Sequence, residues 1–364
     1  DDLIVRGSYR GSGKNATFEF TKNGATYEME DRSFYRYLLK GDYLNPEIKR
    51  LQKEYRSFMR GKYENVSSYF ENDDMLVYGH IDVDYNFGSE HHFTLEIEAL
   101  NKQTREKNQF SLEIPNEGSD YLNVAGLQLT KDDMIQVFFV RSMLNDLHYH
   151  EENMEVYTID LEKHEVISSE QVQAGQTEQN RTVQHIEIIN GREYDIAPKD
   201  YLVFHQTIET VKMGSDGHEY TGVDQRNFIR YDIETGKQTL LDVDQETVEG
   251  YYVDSIIDNE LIFMNPEDDA HHILKYDVEA EKFTLKQTFD LKDYGGHGFA
   301  TTVSQDKIYF VGALKTEASH EYILVGDLEN GDLIYEGTYE FKHKDDNLDY
   351  DFYIYDVELV HENM

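Results

Sequence analysis

Residues 230–234 read Arg-Tyr-Asp-Ile-Glu, a short strand that ends in an aspartate and a polar turn, and this pattern occurs four times in the chain. The other copies lie at residues 157–162 (Tyr-Thr-Ile-Asp-Leu-Glu), 275–279 (Lys-Tyr-Asp-Val-Glu) and 325–329 (Val-Gly-Asp-Leu-Glu). Repetition on a period of tens of residues, with apolar and polar residues alternating inside each unit, is typical of radially repeated β-sheets. The repeats therefore predict an architecture but leave the ligand open.

A second recurring element, a polar turn followed by a short apolar run, accompanies these copies. The runs start at Met75, Met134, Tyr201, Leu261 and Ile308, with separations of 59, 67, 60 and 47 residues. Short apolar runs bounded by turn residues are typical of strands buried on both faces. The spacing is the size of a four-stranded sheet with loops of variable length.

The two ends of the chain supply the remaining unit. Residues 360–364 followed by residues 1–5 imitate the polar turn and apolar run at 71–77. We therefore predict that the last strand, near 352–360, pairs with the first, near 3–9, which leaves only short protected sheet edges.

These patterns predict an all-β chain, a single β-propeller domain over residues 1–364 with about six blades, closed by its N- and C-terminal strands. At residues 231–237 (Tyr-Asp-Ile-Glu-Thr-Gly-Lys) the chain resembles the extracytoplasmic β-propeller proteins of Gram-positive bacteria, which are often lipoproteins or membrane-anchored. The resemblance is one of repeat style, and it implies a binding module, an assembly scaffold, a lyase or a hydrolase. Copies placed at residues 96–98 and 18–20 depart from the pattern.

Composition restricts the function classes. The formal net charge is −39, from 73 acidic and 34 basic residues, and such a surface repels phosphate backbones, so we expect no nucleic-acid partner. The absence of Cys excludes disulfides, thiolate metal sites and Cys nucleophiles. Because the chain begins at Asp1, we expect that a leader or anchor has been removed. We favour a bacterial cell surface, with the membrane reached only through that anchor, and a monomer.

A helical insert over residues 31–62 interrupts the repeats. Asn45 and Pro46 form a helix start, and a shorter helix is expected at 33–40. Five apolar residues then fall on one helical face, Ile48, Leu51, Tyr55, Phe58 and Met59, before Gly61 is expected to end the helix.

The insert is basic. Residues 32–62 contain nine basic and three acidic residues, a net charge of +6 inside an acidic chain. The candidate partner-binding residues are Lys49, Arg50, Lys53, Arg56 and Arg60. Two interpretations stay open: the insert docks on an anionic polymer, membrane or partner, or it lies against the acidic sheets and is neutralised there. We favour the second, because the apolar face needs a surface to cover.

Histidines recur shortly before the expected third strand of successive units. The candidate ligand-binding residues are His92, His150, His218, His272, His297 and His320, and a metal site would use His92, His150, His272 and His297. Imidazoles converging on one propeller face could hold a divalent metal or an anionic ligand, an arrangement similar to that of propeller-type pectate-fragment lyases. Alternatively, a repeated turn uses His for local hydrogen bonds, and we favour this interpretation because repeats also multiply structural residues.

His80, Asp82 and Asp84 alternate along one predicted strand. Their side chains would share one face and could form a metal or acid/base site, but a solvated outer face is favoured in so acidic a chain.

The sequence as a whole predicts a binding or scaffold module for a protein or cell-envelope polymer. The alternative is a metal-assisted lyase or hydrolase of polyanionic saccharide at the His-lined face. A third option, a partner-docking subunit, predicts a large apolar patch beside the basic helix.

Overall fold

The computed structural model describes residues 2–11, 14–21, 24–29, 45–84, 91–145, 148–173, 182–189, 196–213, 219–267, 269–294, 299–304, 306–312, 321–339 and 351–360. These residues form an all-β structure of six four-stranded antiparallel sheets and one α-helix, α1 (Pro46–Glu54). The chain divides into two compact units, which we call the middle unit (residues 43–249) and the N/C unit (residues 1–42 and 250–364). The expectation of a single domain over residues 1–364 stays a prediction.

The middle unit contains three sheets whose strands pair in chain order. The first consists of β4 (Tyr69–Glu71), β5 (Met75–Asp84), β6 (His92–Asn101) and β7 (Lys107–Ile114). The second consists of β8 (Tyr121–Leu129), β9 (Met134–Leu144), β10 (His150–Asp160) and β11 (Glu165–Val172). The third consists of β12 (Thr182–Ile189), β13 (Tyr201–Met213), β14 (Glu219–Asp232) and β15 (Gln238–Leu240). A short 3₁₀ helix, Val66–Ser68, precedes β4.

The N/C unit also contains three sheets. Two pair in chain order: β16 (Tyr252–Ile257), β17 (Glu260–Pro266), β18 (Ala270–Asp277) and β19 (Lys282–Asp290), then β20 (Phe299–Ser304), β21 (Lys307–Gly312), β22 (Glu321–Asp327) and β23 (Leu333–Tyr339). The other has the order β24 (Asp351–Val360), β1 (Asp2–Gly11), β2 (Lys14–Thr21) and β3 (Gly24–Met29). A 3₁₀ helix, Lys292–Tyr294, follows β19.

The predicted pairing of the chain ends is confirmed. Strands β1 and β24 are antiparallel neighbours, with Leu3 opposite Leu359 and Tyr9 opposite Phe352. One sheet of the N/C unit is therefore built from both ends of the chain.

The apolar runs lie where the sequence placed them. Residues 76–79 of β5, 135–139 of β9 and 261–264 of β17 are continuously buried, as expected for strands covered on both faces. The outer strands β7 and β19 instead alternate between exposed and half-buried side chains.

The repeated aspartate closes the turn between the third and fourth strands. In each copy its Oδ1 accepts backbone N–H bonds from residues two or three positions further on: Asp160 from Glu162 and Lys163, Asp232 from Thr235, Asp277 from Glu279 and Ala280, and Asp327 from Glu329 and Asn330. Asn101 does the same for Gln103 and Thr104. The copy expected at residues 96–98 is therefore wrong: that stretch lies inside β6, and Asn101 is the equivalent turn residue.

The two recurring elements are joined by backbone hydrogen bonds, which explains why they occur together. In four sheets the residue after the turn aspartate or asparagine donates its N–H to a carbonyl of the polar turn: Lys102 to Asp74, Ile233 to Asp200, Val278 to Asn259 and Leu328 to Asp306, at 2.8–3.0 Å. The sequence repeats this pair because each half satisfies backbone groups of the other.

Neighbouring sheets within each unit pack through aliphatic and aromatic side chains. In the middle unit, Tyr231 is buried and meets Phe138 edge-on at 5.5 Å, and its hydroxyl donates to Glu170 Oε1 at 2.6 Å. In the N/C unit, Phe289 and Phe310 pack edge-on at 5.5 Å inside the corresponding core.

Candidate functional site

Helix α1 begins as the sequence predicts and ends earlier. The Asn45 side chain accepts the Glu47 N–H at 2.8 Å, and Pro46 occupies the first turn. The helix ends at Glu54 rather than near Gly61, because Phe58 donates to the Tyr55 carbonyl three residues back and the chain continues in turns. The shorter helix expected at 33–40 lies outside the described residues.

The apolar face of the α1 segment is fixed on the first sheet of the middle unit. All five stripe residues are buried, and Ile48 and Leu51 are fully covered. Their cluster includes Tyr69, Leu76 and Leu100 from the sheet. In residues 45–62 the segment lies against the sheet as we favoured, but its charge is neutralised there only in part, through Arg50 and Lys62. Tyr63 is the one exposed large apolar side chain in residues 45–63. The patch expected for a partner-docking subunit is not present in those residues.

Arg50 is committed to contacts inside the molecule. Its guanidinium pairs with Glu47 at 2.7 Å, with Glu54 at 3.0 Å and with Glu71, which also binds Lys102 at 2.9 Å. Burial raises the pKa of Glu71, but hydrogen bonds from Arg50 and Lys102 outweigh burial and hold that pKa below its usual value. Arg50 therefore attaches α1 to β4 electrostatically.

Glu98 on β6 makes a second attachment. It accepts from Lys62 at 2.5 Å and from Lys107 at 2.9 Å, and the Lys62 ammonium lies 4.2 Å from the Phe58 ring centre. Burial raises the pKa of Glu98, whereas the hydrogen bonds from the two lysines lower it further than burial raises it. One carboxylate thus faces two cations.

The other basic residues of the segment face solvent. Lys49, Lys53, Arg56 and Arg60 are exposed. Within the part of the chain that the structure describes, Lys53, Arg56 and Arg60 form no ion pair or side-chain hydrogen bond with a carboxylate. The five predicted partner-binding residues therefore divide into Arg50, which is structural, and four exposed cations.

A basic cleft of about 400 Å³ lies beside the end of α1. We call it the Arg56 cleft, and it is lined by Glu54, Tyr55, Arg56, Ser57, Leu100, Arg105 and Lys107. The Arg105 guanidinium lies 5.3 Å from the Tyr55 ring centre, and the Lys107 ammonium 5.3 Å from that of Phe58. Sequence reasoning missed Arg105 and Lys107, because they come from the β6–β7 turn and only folding brings them beside α1.

The three candidate histidines that the structure describes occupy similar places in their sheets. His92 and His150 open β6 and β10, and His272 is the third residue of β18, each a third strand. His150 Nδ1 lies 3.2 Å from Ser142 Oγ, and His272 Nδ1 lies 2.9 Å from Thr288 Oγ1. His218, His297 and His320 lie outside the described residues, although β14 and β22 start directly after His218 and His320.

The metal site stays a prediction. In the described ranges no three His, Asp or Glu side chains form a group that could hold a metal ion. His297, the fourth proposed ligand, is not among those residues. His80 is half-buried against Tyr63, with ring centres 4.1 Å apart, while Asp82 and Asp84 are exposed. His80, Asp82 and Asp84 therefore lie on a half-buried to exposed strand face, as favoured from the sequence.

Comparisons with known proteins leave the family open. No family model and no curated protein matches the chain. Among solved structures, the β-propeller domain of the Trilobed protease from Pyrococcus furiosus is 10% identical to this chain, with a TM-score of 0.32. The alignment covers 91% of this chain and 80% of the protease chain. Dipeptidyl peptidase 4 of Porphyromonas gingivalis is 13% identical, with a TM-score of 0.36, and the alignment covers 77% of this chain and 40% of the peptidase chain. Acylaminoacyl peptidase of Pyrococcus horikoshii is 10% identical, with a TM-score of 0.30, and the alignment covers 88% of this chain and 43% of the peptidase chain. Likeness at this level establishes no activity for this chain.

Within the described ranges, no helix is long and apolar enough to cross a bilayer.

Proposed function

We propose that the chain is a closed, six-bladed β-propeller that works as an extracytoplasmic binding or scaffold module of a Gram-positive bacterium. It contacts a protein or cell-envelope polymer through a basic surface, which we define as the exposed cations of residues 45–62: Lys49, Lys53, Arg56 and Arg60. The paired terminal strands and the six four-stranded sheets support the propeller arrangement. The charge of −39 supports a bacterial exterior, and the absence of Cys argues against a eukaryotic secreted protein, which usually contains disulfides.

The observation that carries the binding proposal is the contrast between the two faces of the α1 segment. Its apolar face is buried on the sheet, so the segment needs no further partner to fold. Residues 45–62 nevertheless hold six basic and two acidic residues, and only some of those cations pair with carboxylates of the sheet. An anionic partner is repelled by most of this strongly negative protein but attracted by the basic surface. The local positive charge therefore steers such a partner to these residues.

The second candidate is a metal-assisted lyase or hydrolase of polyanionic saccharide that uses His92, His150, His272 and His297. It is supported by the placement of His92, His150 and His272 at the starts of third strands. In that case neutral imidazoles would hold a divalent cation, which would act as a Lewis acid toward a bound carboxylate.

One assay separates the two candidates. We expect the protein to bind at least one of three immobilised probes, a glutamate peptide, poly(glycerol phosphate) or polygalacturonate. Binding should weaken strongly as salt rises from ~0.05 to ~0.5 M, because screening shortens the range of exposed charges. The variant Lys53→Gln/Arg60→Gln should bind more weakly than Lys237→Gln/Lys282→Gln, which removes two exposed lysines elsewhere. Cleavage of polygalacturonate should be absent with or without added divalent metal.

The enzyme interpretation predicts the opposite result. Cleavage that requires a divalent metal and disappears in His92→Ala and His150→Ala would replace the binding proposal. Binding to none of the probes would also contradict the binding proposal. Equal binding by Lys53→Gln/Arg60→Gln and Lys237→Gln/Lys282→Gln would do the same.

A further inference from the structure

We propose that the Arg56 cleft binds carboxylate side chains of an acidic peptide segment on a partner protein. The proposal rests on the binding function above and deepens it, because it gives the basic surface a defined pocket and a ligand chemistry.

The charges around the cleft do not cancel. Four carboxylates, those of Glu47, Glu54, Glu71 and Glu98, face the four cations Arg50, Lys62, Lys102 and Lys107. Arg56 and Arg105 are additional, and in the described part of the chain neither forms an ion pair. Glu106 follows Arg105 but does not line the cleft, and its carboxylate accepts from Thr104 at 3.2 Å. The cleft therefore presents two guanidinium groups whose charge is not compensated locally.

Guanidinium groups specify the ligand atoms. Each is a planar fork of N–H donors that matches a carboxylate or phosphate in bidentate geometry, and such charge-assisted bonds are stronger than neutral ones. Two forks at one cleft suit a ligand with two neighbouring anionic groups. The Arg105 guanidinium lies over the Tyr55 ring, 5.3 Å from its centre, and this contact restricts the side chain. Less side-chain freedom is then lost when the ligand binds.

The aromatic side chain of the cleft favours a peptide over a saccharide. Sugar rings bind aromatic side chains through an open face, but the Tyr55 ring that lines the cleft is faced by the Arg105 guanidinium. Leu100 and Tyr55 supply the apolar part of the cleft lining, which suits the methylene groups of glutamate.

The test is a binding titration with a synthetic peptide of consecutive glutamates. The cleft variant is Arg56→Gln/Arg105→Asn, because asparagine tolerates the left-handed backbone at position 105 better than most residues do. We expect its affinity to fall about tenfold or more, because both guanidinium donors of charge-assisted hydrogen bonds to the peptide are lost. The control Lys237→Gln/Lys282→Gln also loses two positive charges, and its affinity for the peptide should stay within about twofold of wild type. Both cleft residues are exposed, and an unchanged melting temperature will show that the fold is intact.

Each other outcome overturns a defined part of the proposal. If wild type does not bind the peptide, or the cleft variant binds it as wild type does, the cleft assignment is wrong. If Lys53→Gln/Arg60→Gln loses affinity and the cleft variant does not, the basic surface stands as the binding site and the cleft fails. Equal, Arg56-dependent affinity for polyphosphate or oligogalacturonate of matched charge would show that the site does not select peptide carboxylates.

Discussion

Replacing Arg141 with methionine will lower the free energy of unfolding by about 3–5 kcal/mol, the range for breaking one side of a buried ion pair. Arg141 is 1% exposed, and its guanidinium binds both carboxylate oxygens of Glu155, at 2.7 and 2.9 Å. It also donates to the carbonyls of Pro115 and Asn116 and to Ser119 Oγ. The substitution keeps most of the volume but leaves the Glu155 carboxylate and the Pro115 carbonyl without the Arg141 donor, whereas the Asn116 carbonyl still accepts from Ser119. Urea denaturation of wild type and variant measures the loss.

A double variant separates two contributions to the loss of stability: the unpaired Glu155 carboxylate, and the lost hydrogen bonds from Arg141 to residues 115–119. Arg141→Met/Glu155→Leu removes the carboxylate as well, so it should recover part of the loss. Recovery should stay incomplete, because the Pro115 carbonyl and Ser119 Oγ still lack the hydrogen bonds that Arg141 donates. A single variant within about 1 kcal/mol of wild type would contradict the described burial of this pair.

Replacing Gly326 with alanine will destabilise the N/C unit by about 1–3 kcal/mol, the usual cost of overpacking a core. A Cβ at this position would overlap the ring of Phe289 and the Ile308 side chain. The corresponding positions before Asp232 and Asp277 carry Tyr231 and Tyr276. The ring of Phe289 lies close enough to Gly326 to leave no room for a side chain there.

Gly222 is the matched control for this substitution. A Cβ at Gly222 would meet only the mobile end of Lys212, so Gly222→Ala should change stability by less than about 0.5 kcal/mol. Phe289→Leu in the Gly326→Ala background should recover stability, because the smaller side chain gives the methyl group room. Equal effects of the two glycine substitutions in thermal denaturation would show that Phe289 does not occupy this space.

Local signals were sufficient to predict the second and third strands of most sheets. The apolar runs that begin at Met75, Met134 and Tyr201 start β5, β9 and β13 at those residues, and the runs at Leu261 and Ile308 are each one residue inside their strands. Turn chemistry and burial on both faces are written in a few consecutive residues, so the sequence contains the information. The copy of the motif in β6 was misplaced because asparagine replaces aspartate there, although the hydrogen bonds are the same.

The site was harder to predict because it depends on contacts between distant segments. The basic residues of α1 were visible as a charge run, but nothing local separates Arg50, which pairs with Glu71, from Arg56, which faces the cleft. Arg105 and Lys107 lie in an ordinary hairpin turn and acquire a role only beside Tyr55 and Phe58. The fit of Phe289 beside Gly326 is likewise a result of sheets packing on each other.

The most direct test of the binding account is a crystal structure of the protein with the glutamate peptide. The account predicts peptide carboxylates within hydrogen-bonding distance of the guanidinium groups of Arg56 and Arg105, about 2.7–2.9 Å from their nitrogens. Peptide bound at another surface, with no carboxylate at either guanidinium, would contradict it.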